Sequence, residues 1–318
     1  MAGWSFFLLR KAGVLVSTML VSSVAIFLAL HLAPGDPATT IAGGTKPNAE
    51  NLTRIRAEYH LDDPLWSQYL QWLHGVLTGD MGTSMVYHTD VGTLLTERLL
   101  STVLLVGYGG TLILVFGIGL GVLAGLRGGV TRTVVSMLTT VAMGAPTFVV
   151  AIVLIAVFAT TVGWFPIYGT GSGLLDRLHH LTLPAIALSM SYVAYVATVT
   201  RGAVDEEKFS EHVETAESRG IPPALVNRRH VLRNAIAPIL TVSGLSIAGL
   251  FAGTAVAEQA FGVNGIGSLL VDAAARKDLA VVQVISLFMV ASFVVVNTVI
   301  DSVNALLDPR IALEGGSA

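Results

Sequence analysis

Long apolar stretches without Asp, Glu, Lys or Arg alternate along this chain with short polar connections. Residues 12–35, 99–126, 133–175, 235–257 and 279–300 carry no such charge, and 178–200 carries only His179 and His180. A bilayer core takes about 20 apolar residues per helix, and a charge at mid-span costs roughly 2.5–3.5 kcal/mol on insertion scales. Residues 133–175 are too many for one span. The pattern predicts six transmembrane helices, near 10–32, 99–126, 134–160, 182–201, 235–257 and 280–301. The first follows Arg10-Lys11 like a signal sequence, but its apolar run exceeds the roughly 7–15 residues of a signal core, so it reads as a retained span.

Four pieces follow: an N-terminus with the first helix (1–32), a polar loop (33–98), a five-helix core (99–308) containing a polar loop at 202–234, and a tail (309–318). The class is all-α and polytopic. Six spans place both ends on one side. Arg10, Lys11, Arg127, Arg132, Arg201, Lys208, Arg219, Arg228, Arg229, Arg233 and Arg310 then share that side, mostly in short segments. Lys46, Arg54, Arg56, Arg98, Arg177, Arg276 and Lys277 lie opposite, spread over more chain. The bias makes both termini cytoplasmic.

Composition narrows the chemistry. Only 12% of residues are charged, mean hydropathy is +0.73 and net charge is −3, so a nucleic-acid partner is not expected. There is no cysteine, which excludes disulfides and thiolate chemistry. None of the four lysines sits in a Gly-x-x-x-x-Gly-Lys-Ser/Thr cradle, so no nucleotide-hydrolysing site, cofactor or catalytic residue is expected in this chain. Thr170 spoils a serine-protease reading of Gly171-Ser172-Gly173. His179 and His180 are adjacent on a helix and diverge, so no metal site is expected; His31, His60, His74 and His88 read as scattered, solvated outer groups. Spans nearly free of ionisable groups argue against an ion-coupled secondary transporter.

The loop at 202–234 predicts a helix over about 205–219, with Asp205, Glu206 and Glu207 in its first turn and Phe209, Val213 and Ala216 as one apolar stripe. Gly220 reads as a left-handed stop, and Pro222-Pro223 opens a second helix bearing Arg228, Arg229 and Arg233. Such an elbow fits a protein groove or the inner leaflet. In the outer loop, helices are expected over about 48–59 and from Pro64. There Leu65, Tyr69, Trp72, Leu73 and Val76 form a stripe that packs on neighbours or docks an outer partner.

Within the elbow, Glu214-Thr215-Ala216-Glu217-Ser218-Arg219-Gly220 resembles the Glu-Ala-Ala…Gly signature of bacterial ABC-importer permeases, with Thr215 departing from the usual alanine. His230-Val231-Leu232-Arg233-Asn234-Ala235-Ile236-Ala237-Pro238 resembles its continuation in the dipeptide/oligopeptide/nickel branch. Pro34-Gly35-Asp36-Pro37, Leu61 to Tyr69, Gly79-Asp80-Met81-Gly82 and Asp308-Pro309-Arg310-Ile311 match the same branch. The resemblance implies a type I importer permease, the first of two, carrying peptides or else nickel chelates or glutathione. Its partners would be a second permease, two ATP-binding subunits that hold ATP and magnesium, and an extracytoplasmic binding protein. It also implies that Phe209, Val213, Glu214, Thr215, Ala216 and Gly220 contact the ATPase.

Gly117, Gly121 and Gly125, and Gly249 and Gly253, predict close helix approach. Ser243, Ser246, Tyr192, Tyr195 and Asn297 are candidate path-lining groups or interhelical hydrogen bonders. Glu258 and Phe261 open a segment, Glu258 to Gly267, that resembles a re-entrant outer gate.

Overall fold

The computed structural model describes residues 2–32, 38, 49–58 and 61–307. The turn at 34–37, Lys46, His60, the motif at 308–311 and the tail lie outside the described residues. Helices α1 (Ala2–Leu32), α2 (Ala49–Glu58) and α3 (Leu65–Thr78) precede the core. The core comprises α4 (Val91–Arg127), α5 (Gly129–Gly144), α6 (Thr147–Thr161), α7 (Leu174–Lys208), α8 (Glu211–Ser218), α9 (Pro223–Phe261), α10 (Ile266–Ala275) and α11 (Leu279–Leu307). Among the described residues the fold is all-helical. α1, α4, α7, α9 and α11 are each long and apolar enough to cross a membrane, and α5 with α6 makes the sixth span.

That sixth span is not the straight helix expected over 134–160. It breaks at Ala145-Pro146 and bends by 105°. Proline lacks the N–H that the carbonyl of Ala142 would accept from in a continuous helix. Ser191 of α7 supplies the missing donor, with its Oγ 3.2 Å from that carbonyl. The break therefore keeps its backbone satisfied inside the apolar layer, where an unpaired carbonyl would cost several kcal/mol.

α7 is the central post, and glycine lets two helices press on it. A Cβ on Gly121 would stand 2.5 Å from Thr200 Cβ and 2.6 Å from the Ala197 carbonyl. On Gly125 it would meet Val204 Cγ1 at 2.7 Å, and on Gly117 Val196 Cβ at 3.0 Å. Gly249 and Gly253 of α9 do the same against Tyr192 and Leu188 from another side. The four-residue glycine spacing is thus a packing device. Leu105, Leu181, Leu188, Leu250 and Phe261 fill the core these contacts enclose.

On the outer side, α3 lies across the end of α1. Tyr69 Oη is 2.8 Å from Ser23 Oγ, and the Tyr69 and Phe27 rings meet edge to face at 5.4 Å. Tyr69 and Trp72 thus pack on α1, while Leu65, Trp66, Leu70 and Leu77 remain exposed. Pro64 stands at the N-cap of α3, one place before the first turn. His31 is not a solvated group: it is half-buried, with its ring nitrogens against the Phe27 carbonyl and Gln68 Oε1. Buried Asp278 ties the outer loop to α11. It accepts from Ser84 Oγ and the Val86 N–H, and from the Val281 N–H at 3.4 Å.

Candidate functional site

Two structured places bear on function, the cytoplasmic elbow and the outer end of α9. At the elbow the helix limits differ from those expected. α7 continues through Asp205, Glu206 and Glu207 to Lys208. The chain breaks at Phe209-Ser210, and α8 starts only at Glu211. The three carboxylates therefore end a long helix instead of opening a short one. Asp205 is held there by Arg132 at 3.0 Å, and Glu207 faces His212 at 3.5 Å.

The expected stripe is divided. Val213 (1% exposed) and Ala216 (5%) are buried in a small core of this chain's own residues, with Val204, Val226, Val231 and Ile239. Their apolar surface anchors α8 to the cytoplasmic ends of α7 and α9, so neither offers a face to another protein. Phe209, the third stripe member, is 81% exposed at the break. Glu214 and Thr215 are exposed on the opposite side of α8 from Val213 and Ala216.

Gly220 closes the elbow as the sequence leads one to expect. Its φ is +74°. Its N–H donates to the Glu217 carbonyl at 2.9 Å, and the Ile221 N–H donates to the Ala216 carbonyl at 3.3 Å. This pair of bonds is the Schellman stop. Pro222 and Pro223 then start α9. The elbow is strapped to the spans: Lys208 Nζ donates to the Leu126 carbonyl at the end of α4 (3.3 Å), and Arg201 donates to Ser136 Oγ of α5.

At the outer end of α9, Gly262 (φ +58°) makes a second such stop, with the Val263 N–H donating to the Glu258 carbonyl at 2.9 Å. The chain turns into α10, whose first amides need acceptors. Glu258 supplies them from inside the fold, with no exposed surface. Its Oε2 accepts from the Ser268 N–H at 2.8 Å and its Oε1 from Thr102 Oγ1 at 2.6 Å. Thr102 Oγ1 in turn accepts from the Ile266 N–H at 2.8 Å. A Cβ on Gly265 would fall 2.2 Å from the Glu258 carboxyl, and one on Gly267 2.5 Å from the Ala255 nitrogen. The glycines of Asn264-Gly265-Ile266-Gly267 thus let α10 seat directly on the carboxylate and on α9. Nothing in the sequence marked Glu258 as a buried cap, because a carboxylate at the end of a span reads as a surface group.

The remaining candidates separate by burial. Ser243 and Ser246 are buried inside the chain. Ser246 Oγ donates to the Val242 carbonyl of its own helix at 2.7 Å, and Ser243 Oγ has no hydrogen-bond partner among the described residues. Phe261 is buried in the core, and Tyr192 packs over Gly249. Tyr195 is exposed and Asn297 half-exposed. His179 and His180 come together with Asp176, their ligand atoms within 4.8 Å of one another. Each ring already holds a backbone carbonyl, His179 that of Trp164 and His180 that of Asp176, both at 2.9 Å.

A multi-span helical body with a structured cytoplasmic elbow is the architecture of an inner-membrane transport subunit, and the comparisons give the family. The inner membrane component of binding-protein-dependent transport systems matches residues 117–313, and the N-terminal region of such components matches residues 4–104. The chain belongs to this family and is a multi-pass inner-membrane ABC-importer permease. It is 35% identical over 309 residues to a probable peptide ABC transporter permease, y4tP, of Sinorhizobium fredii, covering 96% of this chain and 98% of the relative. It is 31% identical over 308 residues to the glutathione transport system permease GsiC of Pectobacterium atrosepticum, with the same coverages. Among solved structures it resembles the inward-facing MetNI methionine ABC transporter, with a TM-score of 0.52 and 17% identity over 67% of this chain and 96% of that one. That likeness speaks for the fold, the type I permease fold.

Proposed function

We propose that this chain forms half of an import pathway for di- or oligopeptides, or for the tripeptide-like glutathione, and couples it through the elbow to ATP hydrolysis in separate subunits. One observation carries the coupling: Val213 and Ala216 fix α8 to the spans from within, while Phe209, Glu214 and Thr215 face outward beside them. A docking element needs both, a rigid attachment and a free face. Exposed Phe209 suits a cytosolic apolar groove, and Glu214 gives that contact a charge. Because Lys208, Asp205 and Arg201 bind α7 to α4 and α5, a push on α8 moves several spans together. Rocking of this half against a second, homologous permease exchanges inward and outward access.

Tyr195 and Asn297 are the path-lining groups in this reading, and Ser243, Ser246 and Tyr192 serve helix packing. ATP and magnesium are held by the partner subunits; this chain carries no hydrolytic site of its own. The cargo follows from the peptide and glutathione permeases among the relatives, and an extracytoplasmic binding protein selects it. Purification of the tagged chain from its native membrane tests the proposal. It brings down a nucleotide-hydrolysing subunit in fixed ratio, and the cognate binding protein is stabilised by di- or tripeptides. Solute uptake by the subunit alone, without a nucleotide-hydrolysing companion, refutes it.

A further inference from the structure

A cavity of about 230 Å³ opens at the outer side between the end of α1, α3 and the start of α11. That is several times the roughly 30 Å³ a water occupies in the liquid. Phe27, His31, Trp72 and Gln283 are among its walls, and no Asp, Glu, Lys or Arg is among its described lining residues. Gln283 is 6% exposed, faces this cavity and makes no hydrogen bond to a described residue. Its amide borders the open space of the cavity, so a group entering there can pair with it. The Trp72 indole N–H is buried away from this space, with no hydrogen-bond partner among the described residues.

The level of the cavity in the bilayer identifies the group. Helix α11, Leu279–Leu307, has 29 residues, about 43 Å at 1.5 Å per residue. A hydrocarbon core is about 30 Å thick, so a centred helix overshoots it by about 7 Å at each end. Gln283 lies about 6 Å in from Leu279, at the edge of the hydrocarbon, where the glycerol esters of phospholipids sit. α1 borders the cavity and is mostly exposed along its apolar length, so acyl chains reach this site. The geometry points to a structural phospholipid of the outer leaflet, held by hydrogen bonding of the Gln283 amide to an ester carbonyl, its glycerol region in the cavity that Phe27, Trp72 and Met85 border. With no Lys or Arg among the described lining residues, the cavity offers a phosphate no fixed cation. A peptide carbonyl offers the same chemistry, and the experiment separates the two sources.

The test is lipid binding to the purified importer complex by native mass spectrometry, comparing dioleoyl phosphatidylglycerol with its diether analogue, which lacks the carbonyls. The expected result is a roughly three- to tenfold preference for the ester lipid, the size of one net hydrogen bond. Gln283→Met keeps the length of the side chain and abolishes that preference. Met85→Phe fills the cavity from the outer loop, leaves the helix packing alone and has the same effect. Equal retention of ester and ether lipids, or a preference that survives both substitutions, overturns the assignment. Displacement of the ester lipid by dialanine overturns it in favour of a peptide site.

Discussion

Replacing Gly121 by alanine adds one carbon where α4 and α7 are nearest. That carbon would lie 2.5 Å from Thr200 Cβ and 2.6 Å from the Ala197 carbonyl oxygen. Carbon contacts are comfortable near 3.5–4.0 Å, so the shortfall is about 1 Å. Both neighbours are fixed by the α7 backbone, and no rotamer change relieves either clash. The helices must separate, which also loosens Gly117 on Val196 and Gly125 on Val204. Overpacking of this kind costs about 1–3 kcal/mol, with the unrelieved clash placing it near 3. Alanine returns about 1 kcal/mol of helix propensity. The net loss is therefore about 2 kcal/mol, near the upper end of the 5–30-fold change such energies make in the folded ratio. Gly119 is the internal control. It lies on the same helix with nothing within 4 Å of its would-be Cβ, so Gly119→Ala is neutral or stabilising by up to about 1 kcal/mol. Equilibrium unfolding of the purified subunit in mixed micelles, followed by far-UV circular dichroism, measures both. Equal stability of the two variants would refute the close approach of α4 to α7.

Other consequences are equally direct. Gly220→Pro is incompatible with φ of +74° and removes the N–H that closes α8, so transport is lost while insertion, read by protease protection, is intact; Gly220→Ala meets no atom within 4 Å and costs only the left-handed strain of about 1–2 kcal/mol. Glu258→Gln sets an amide donor against the Ser268 N–H or the Thr102 hydroxyl, at about 1–3 kcal/mol, and alters ATPase stimulation by the binding protein; unchanged stimulation and uptake would remove the outer cap from the mechanism. Asp278→Asn weakens the tether to Ser84 and Val86, so the outer loop becomes more sensitive to added protease at equal expression.

Much of this fold was legible in the chain because lipid is an intolerant solvent. Charge avoidance located the spans, and the four-residue glycine spacing found both faces of α7. Gly220 and the prolines after it located the elbow turn for a backbone reason that needs no tertiary context. What escaped depends on partners distant in sequence. The break at Ala145-Pro146 sits in a charge-free run where Pro146 itself marks a helix interruption; what the sequence did not show is the donor that makes it tolerable, Ser191, which comes from another helix. The expected start of the elbow helix at Asp205 rested on carboxylates favouring a helix N-terminus, but Arg132 and His212 hold two of them, Asp205 and Glu207, where α7 ends. Val213 and Ala216 formed a correct periodic stripe whose face was unreadable, since the residues that cover it lie in α7 and α9. Glu258 and Gln283 look like ordinary polar residues near span ends, and only the assembled bundle buries them.

The claim on which the account rests is that the elbow is the contact with a cytosolic motor. The chain has no cysteine, so one introduced as Phe209→Cys is unique, and site-directed photocross-linking from it in native membranes is the direct measurement. The account predicts a cross-link to a nucleotide-hydrolysing subunit, protection of the thiol from reagents added outside the cell, and no such product from Trp66→Cys on the outer side. Labelling of Phe209→Cys from outside, or a cysteine there that captures no ATP-binding subunit in a transport-competent complex, would contradict it.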